Sequence, residues 1–170
     1  MKATSVLAVA LMCGLSACAG EKPTRRLEPA ARPAPPPRGP DRLVLVDRPL
    51  QLQDEQEPFR TKAVFTFDLP ARPRRARLLL RFSGVPGALS EDYKMGRFRD
   101  RVELNDRYLM DLNTFSRGED DVVEHTKWIS VGMLHRHNKL AFLAGDDGAR
   151  DRRPDHDEFE LRSVVVEFDW

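Results

Sequence analysis

Apolar side chains that recur at every second position constrain this chain most. Ala63, Phe65, Phe67 and Leu69 alternate along one segment, and Ala76, Leu78, Leu80 and Phe82 alternate along the next against Arg75, Arg77 and Arg81. A period of two lays the apolar set on one face of a strand, whereas a helix would need spacings of three and four. Val102 and Leu104 run into Asn105 and Asp106, side chains that accept left-handed backbone, and Tyr108, Met110 and Leu112 run back, which predicts a hairpin. Ile129 with Val131, and Leu140 with Phe142, mark further strands. Phe159 and Leu161 are out of phase with Val164, Val166 and Phe168, a shift that predicts a bulge. With residues 43–52 as a first strand region, the pattern predicts about eight strands and no helix. The expected fold is all-β, an antiparallel two-sheet β-sandwich with Phe65, Phe67, Leu78, Leu80, Phe142 and Val166 facing inward.

Ahead of that domain the chain changes character twice. Residues 1–17 carry Lys2, an apolar run and small residues before a cysteine, which is the make-up of a secretory leader and too short to span a bilayer. At "LSAC", residues 15–18, the chain resembles the bacterial lipoprotein signal, a Leu and two small residues followed by the cysteine. The resemblance implies that Cys18 takes a diacylglyceryl group, that the leader is removed before it and that the new amine is acylated, giving a palmitate-bearing membrane lipoprotein. Two or three acyl chains anchor stably where one does not. Ala19 stands where such lipoproteins carry an aspartate for inner-membrane retention, so the expected place is the cell envelope, at the outer membrane. Cys13, the one other cysteine, leaves with the leader, so no thiol remains for a disulfide or a nucleophile.

Residues 18–40 form the second segment, the lipidated cysteine and a proline-rich linker. "EKPTRRLEPAARPAPPPRGP" holds seven of the chain's 13 prolines and no apolar periodicity, which suits a disordered, semi-rigid spacer of polyproline character with a net charge of +3. Residues 41–170 are the folded domain, with a net charge of −3 against +1 for the whole chain, and nothing in that balance points to nucleic acid.

At "RVELNDRYLMDL", "ISVGMLHRHNKLAF" and "DEFELRSVVVEF" the domain resembles the galactose-binding-like jelly-roll sandwiches, which include many carbohydrate-binding modules. It departs at Arg136, where such loops place a glycine two residues before the Asn. The resemblance implies a jelly roll that binds sugar through loops at one end and often holds a structural calcium; a fold by itself does not set a function.

Loop lengths sharpen this. If consecutive strands run antiparallel, the short connections at 70–74, 106–107 and 132–138 share one end, and the long ones at 53–61, 83–100, 113–124 and 145–158 share the other. The long connections together carry −8, leaving +5 for the rest of the domain. Their carboxylates, above all Asp146, Asp147, Asp151, Asp155 and Asp157, are the candidate ligands for Ca²⁺, which takes six to eight oxygens. The bland alternative is that these charges are simply solvated.

Tyr93, Arg97 and Phe98 in the longest connection are candidate ligand contacts, as is Trp128, which is out of phase with Ile129 and Val131 and so predicted to expose its ring for stacking on a sugar. Each has a structural alternative, a loop packed on its own side chains or a ring at a sheet edge. His135 and His137 supply too few ligands for zinc, and His125 and His156 have no spacing that recruits them. No nucleophile elbow, zinc-protease motif or phosphate-cradling loop is present, and a carboxylate pair for glycoside hydrolysis leaves no sequence signature. The expected function is a non-enzymatic, lipid-anchored envelope module that binds a glycan or acts in adhesion. The alternative is an assembly lipoprotein that docks an envelope protein partner, with a glycosidase-like enzyme last.

Overall fold

The computed structural model describes residues 38–53, 61–145 and 158–170. Among these residues nine strands form two antiparallel sheets. β1 (Arg42–Val46), β2 (Leu50–Leu52), β4 (Arg75–Ser83), β7 (Val123–Ile129) and β9 (Phe159–Asp169) make the first, with β1 and β2 both paired to β9 and the order β1–β9–β4–β7. β3 (Lys62–Asp68), β5 (Arg101–Leu104), β6 (Arg107–Asp111) and β8 (His137–Leu143) make the second, in the order β3–β8–β5–β6. Apart from the β5–β6 hairpin and the β1–β2 break, every connection passes from one sheet to the other, which is the jelly-roll topology over eight strand positions.

The core follows the alternation. Leu78, Leu80, Phe82, Phe142 and Val166 are buried between the sheets, with Phe159 and Leu161 beside them, and Phe65 is half-buried with its ring edge-on to Phe142 at 6.0 Å. Each fully buried Phe or Leu contributes roughly 1.5–3 kcal/mol through the surface it removes from water. Asn105 and Asp106 adopt φ of 54° and 59° and close β5 onto β6 in two residues, the left-handed turn that matches the twist of the strands. The phase shift in β9 is a bulge, since Arg81 pairs with Ser163 and the next residue, Phe82, with Leu161.

Four features depart from the sequence expectation. In the returning strand of the hairpin, Tyr108 is exposed because a bulge opposite Val102 and Glu103 shifts its phase from that of Met110, and Leu112 opens a 3-10 turn (Leu112–Thr114) instead of extending the strand. A five-residue helix, α1 (Glu91–Met95), sits in the longest connection, capped by Ser90, whose Oγ accepts from the Tyr93 N–H, and by Gly96 at φ 88°. It is too short to show a helical period. Val131 belongs to a 3-10 turn (Val131–Met133) instead of a strand. The strand before it, β7, shows little alternation because its inward positions include His125 and Lys127; β7 is an edge strand, and inward-pointing polar groups are one way such edges resist pairing with other chains.

Strand directions set the two ends. Leu52 pairs with Phe159, Ser83 with Glu160, Phe82 with Val123, and Leu143 with both Lys62 and Arg101. All four long connections therefore start and finish at one end. The β3–β4 and β7–β8 connections, the β5–β6 turn, residues 38–41 and Trp170 occupy the other.

Candidate functional site

At the long-loop end the candidate residues are built into the scaffold. The Tyr93 hydroxyl donates to Asp111 Oδ2 at 3.2 Å and its ring lies 5.6 Å from the Arg99 guanidinium. Burial, then the Asp111 carboxylate, push the Tyr93 phenol above its ordinary value. Arg97 approaches Asp92 at 3.8 Å. Phe98 is half-buried at φ 50°, and its carbonyl accepts from Asn113 Nδ2 at 2.7 Å. Asn113 and Asp100, both fully buried, hold the connections together. Asn113 Nδ2 also donates to Pro86 O at 3.0 Å, Asn113 Oδ1 accepts from the Asp100 N–H at 2.8 Å, and Asp100 Oδ1 accepts from the Gly145 N–H at 3.2 Å. The large apolar side chains exposed here are aliphatic. Leu89, just before the α1 cap, is 84% exposed and Met95, the last residue of α1, 53%.

Trp128 stands elsewhere. Because β7 runs toward the short-loop end, its penultimate residue lies there, on the outer face of the first sheet, and the structure does not bring it together with Tyr93, Arg97 and Phe98. Its ring is 59% exposed, as its phase predicts. Register places it in a row that crosses all four strand positions, Arg42, Glu167, Arg77 and Trp128. Glu167 grips Arg77, accepting from Nε and Nη2 at 2.7 Å each, and lies 4.0 Å from Arg42. Thus held, the Arg77 guanidinium lies 5.8 Å from the indole centre, a cation–π contact that restrains the ring. Trp128, Arg77, Arg75, Glu167 and Asp169 border a depression of about 280 Å³. The neighbouring row, Val44, Val165, Leu79 and Thr126, is largely apolar, and its Val165, Leu79 and Thr126 border a second of about 530 Å³ with Arg81 and Glu124. Such a surface offers a flat ring, ionic hydrogen-bonding groups and an apolar floor across the strands.

Arg77 and Glu167 were not singled out in the sequence. Both occupy outward positions of their alternating strands, but only the β9–β4–β7 order reveals that they share a row with Trp128.

The remaining candidates are placed as follows. His137 Nδ1 lies 2.7 Å from Asp68 Oδ1, His135 sits in the preceding connection, and His125 stacks on Phe115 at 3.6 Å between centroids. Among the described residues no group of three or more His, Cys, Asp and Glu gathers to hold a metal. The proposed Ca²⁺ ligands Asp146, Asp147, Asp151, Asp155 and Asp157, the zinc candidate His156 and the lipidation site Cys18 lie outside the described residues.

The class these features define is a two-sheet jelly-roll β-sandwich. No protein-family model matches the chain, and no curated protein matches it. Among solved structures it is similar to the CBM36-1 domain of a multidomain xylanase from the hindgut metagenome of Trinervitermes trinervoides, with 10% identity and a TM-score of 0.36 over 70% of this chain and 95% of that one.

Proposed function

We propose that this is a lipid-anchored cell-envelope protein, held by Cys18 at the outer membrane, whose jelly-roll domain binds a glycan without acting on it chemically. The observation that carries the glycan site is Trp128, an exposed indole held by the Arg77–Glu167 pair beside a shallow open surface. The C–H face of a pyranose packs on a flat aromatic ring, while the guanidinium and carboxylate groups beside it exchange hydrogen bonds with the hydroxyls. The two adjoining depressions suit an extended chain of sugars better than a single enclosed unit.

Trp128→Ala tests this. The side chain is exposed, so the thermal midpoint should stay within a degree or so, while retention on immobilised envelope polysaccharides and quenching of indole fluorescence by soluble oligosaccharides are lost. Unchanged retention of the variant would overturn the site. A second reading, docking of an envelope protein partner, is favoured by Leu89 and Met95 at the opposite end. Leu89→Ser with Met95→Ser would then abolish capture of the partner and leave glycan retention intact.

A further inference from the structure

The short-loop end carries cations that the fold does not neutralise. Arg72 and Arg74 come from the β3–β4 connection, Arg75 opens β4, and Arg136 closes the β7–β8 connection beside His135. Arg77 and Arg81, farther along β4, are paired with Glu167 and Glu124, but Arg72, Arg74, Arg75 and Arg136 have no ion-pair partner among the described residues. Arg72, His135 and Arg136 line a concavity of about 400 Å³ whose remaining lining is apolar, Leu69, Pro70, Ala71 and Leu134, with no acidic side chain.

This concavity rests on a rigid base. The Leu69 N–H donates to Arg136 O at 2.8 Å and ties its two walls together. Asn138, 3% exposed, accepts from the His135 N–H at 2.9 Å and returns a bond from Nδ2 to His135 O at 2.7 Å. Asn105 Nδ2 reaches Met133 O at 2.7 Å and locks the hairpin turn to the same connection. The backbones that carry His135 and Arg136 are thus set before any ligand arrives.

The chain also enters the domain here. Trp170 Nε1 donates to Pro40 O at 3.4 Å, and a methyl group on Gly39 would come within 2.9 Å of Pro70, on the rim of the concavity. The 18–40 segment that leads to this point has a net charge of +3. A cationic end at the place where the chain arrives from a lipid-bearing cysteine has one natural counterpart.

We propose that the short-loop end docks on the anionic headgroup surface of the bilayer, with lipid phosphate entering the Arg72–Arg136 concavity and Arg74 and Arg75 at its margin. The long-loop end, where the acidic connections gather, is then turned away from the membrane. Attraction to an anionic leaflet falls off within a Debye length, so docking depends on this end and not on the net charge of the domain, which is −3. The inference rests on the Cys18 anchor only for proximity to the membrane.

The test uses the full chain with Cys18→Ser, which carries no acyl group, mixed with vesicles of phosphatidylcholine alone or with phosphatidylglycerol. Added phosphatidylglycerol should increase co-sedimentation, and salt should reverse the increase. Arg72→Gln with Arg136→Gln should weaken that increment about 30-fold at low salt without moving the thermal midpoint, at roughly fivefold per arginine. The leader and the proline-rich segment are common to both chains and cancel in the comparison. Equal increments for parent and variant would overturn the proposal. So would inorganic phosphate that, at matched ionic strength, raises the thermal midpoint of the parent and not of the variant, since the concavity would then be a small-anion site. Retention of the parent with Cys18 intact on neutral vesicles reads the anchor separately.

Discussion

The two ends of the sandwich use the same device for different tasks. At each, one buried asparagine bridges backbone groups that the strands leave unpaired. Asn138 serves the short-loop end, where the two-residue turn at Asn105 and Asp106 already restricts the chain and the amide only joins neighbouring connections. Asn113 serves the long-loop end, where connections too long to be set by turn chemistry must be held by side chains, and there a buried carboxylate, Asp100, joins the amide and extends its reach to Gly145. In a low-dielectric interior such bonds are strong when complete and costly when one member is missing. The comparison teaches that length in a connection is matched by polar burial. It also separates charge, since acids gather with the long connections and unpaired arginines with the short ones.

Removing the asparagine at each end should expose the difference. Asn113→Ala leaves the Pro86 and Phe98 carbonyls and the Asp100 N–H without this partner, so it should cost about 4 kcal/mol in urea unfolding, at 1–3 kcal/mol for each buried group stranded. A loss below about 1 kcal/mol would show that water or a neighbour satisfies them. Asn138→Ala strands as many partners, but its bonds to His135 and Asn105 are only part-buried and lie next to a turn that persists without it, so it should cost less, about 2–3 kcal/mol. If it proves the costlier of the two, the ranking of the ends is reversed.

Tyr93→Phe removes one half-exposed bond to Asp111 and should cost about 1 kcal/mol, with hydrogen exchange quickened in α1 and unchanged in the β5–β6 turn. Exchange that quickens equally at both ends would mean that the loops are not held locally.

The smallest effect is a pH dependence. Burial, then the charge of Lys127, hold the His125 imidazole below its ordinary value of 6.5, so the folded state binds its proton less readily than the unfolded chain. Its contribution to stability is complete above that ordinary value and is lost as pH falls toward the lowered one. Unfolding midpoints should therefore drop slightly between neutral and mildly acidic pH, and His125→Gln should flatten that slope. A stability that rises on acidification through this range in the parent, and not in the variant, would reverse the assignment.

Much of this was written in the side-chain order, unevenly. β3, β4 and β9 are legible because their inward residues are apolar without interruption, and the bulge in β9 is visible as a slip of phase. β7 is faint because an edge strand places His125 and Lys127 inward. The exposure of Trp128 follows from its phase, and its position as the penultimate residue before the β7–β8 connection is the signal that places it away from Tyr93, Arg97 and Phe98.

Taken alone, the order of residues determined most of the strands, the hairpin turn and the gathering of four long connections at one end, because each depends on local backbone preference or on counting direction along antiparallel strands. The ladder from Arg42 to Trp128, the Asp100–Asn113 and Asn105–Asn138 pairs and the Arg72–Arg136 concavity were decided by tertiary structure. Each joins residues from strands or connections whose adjacency is set by sheet order, and that order is chosen by how the whole core packs, which no local pattern encodes.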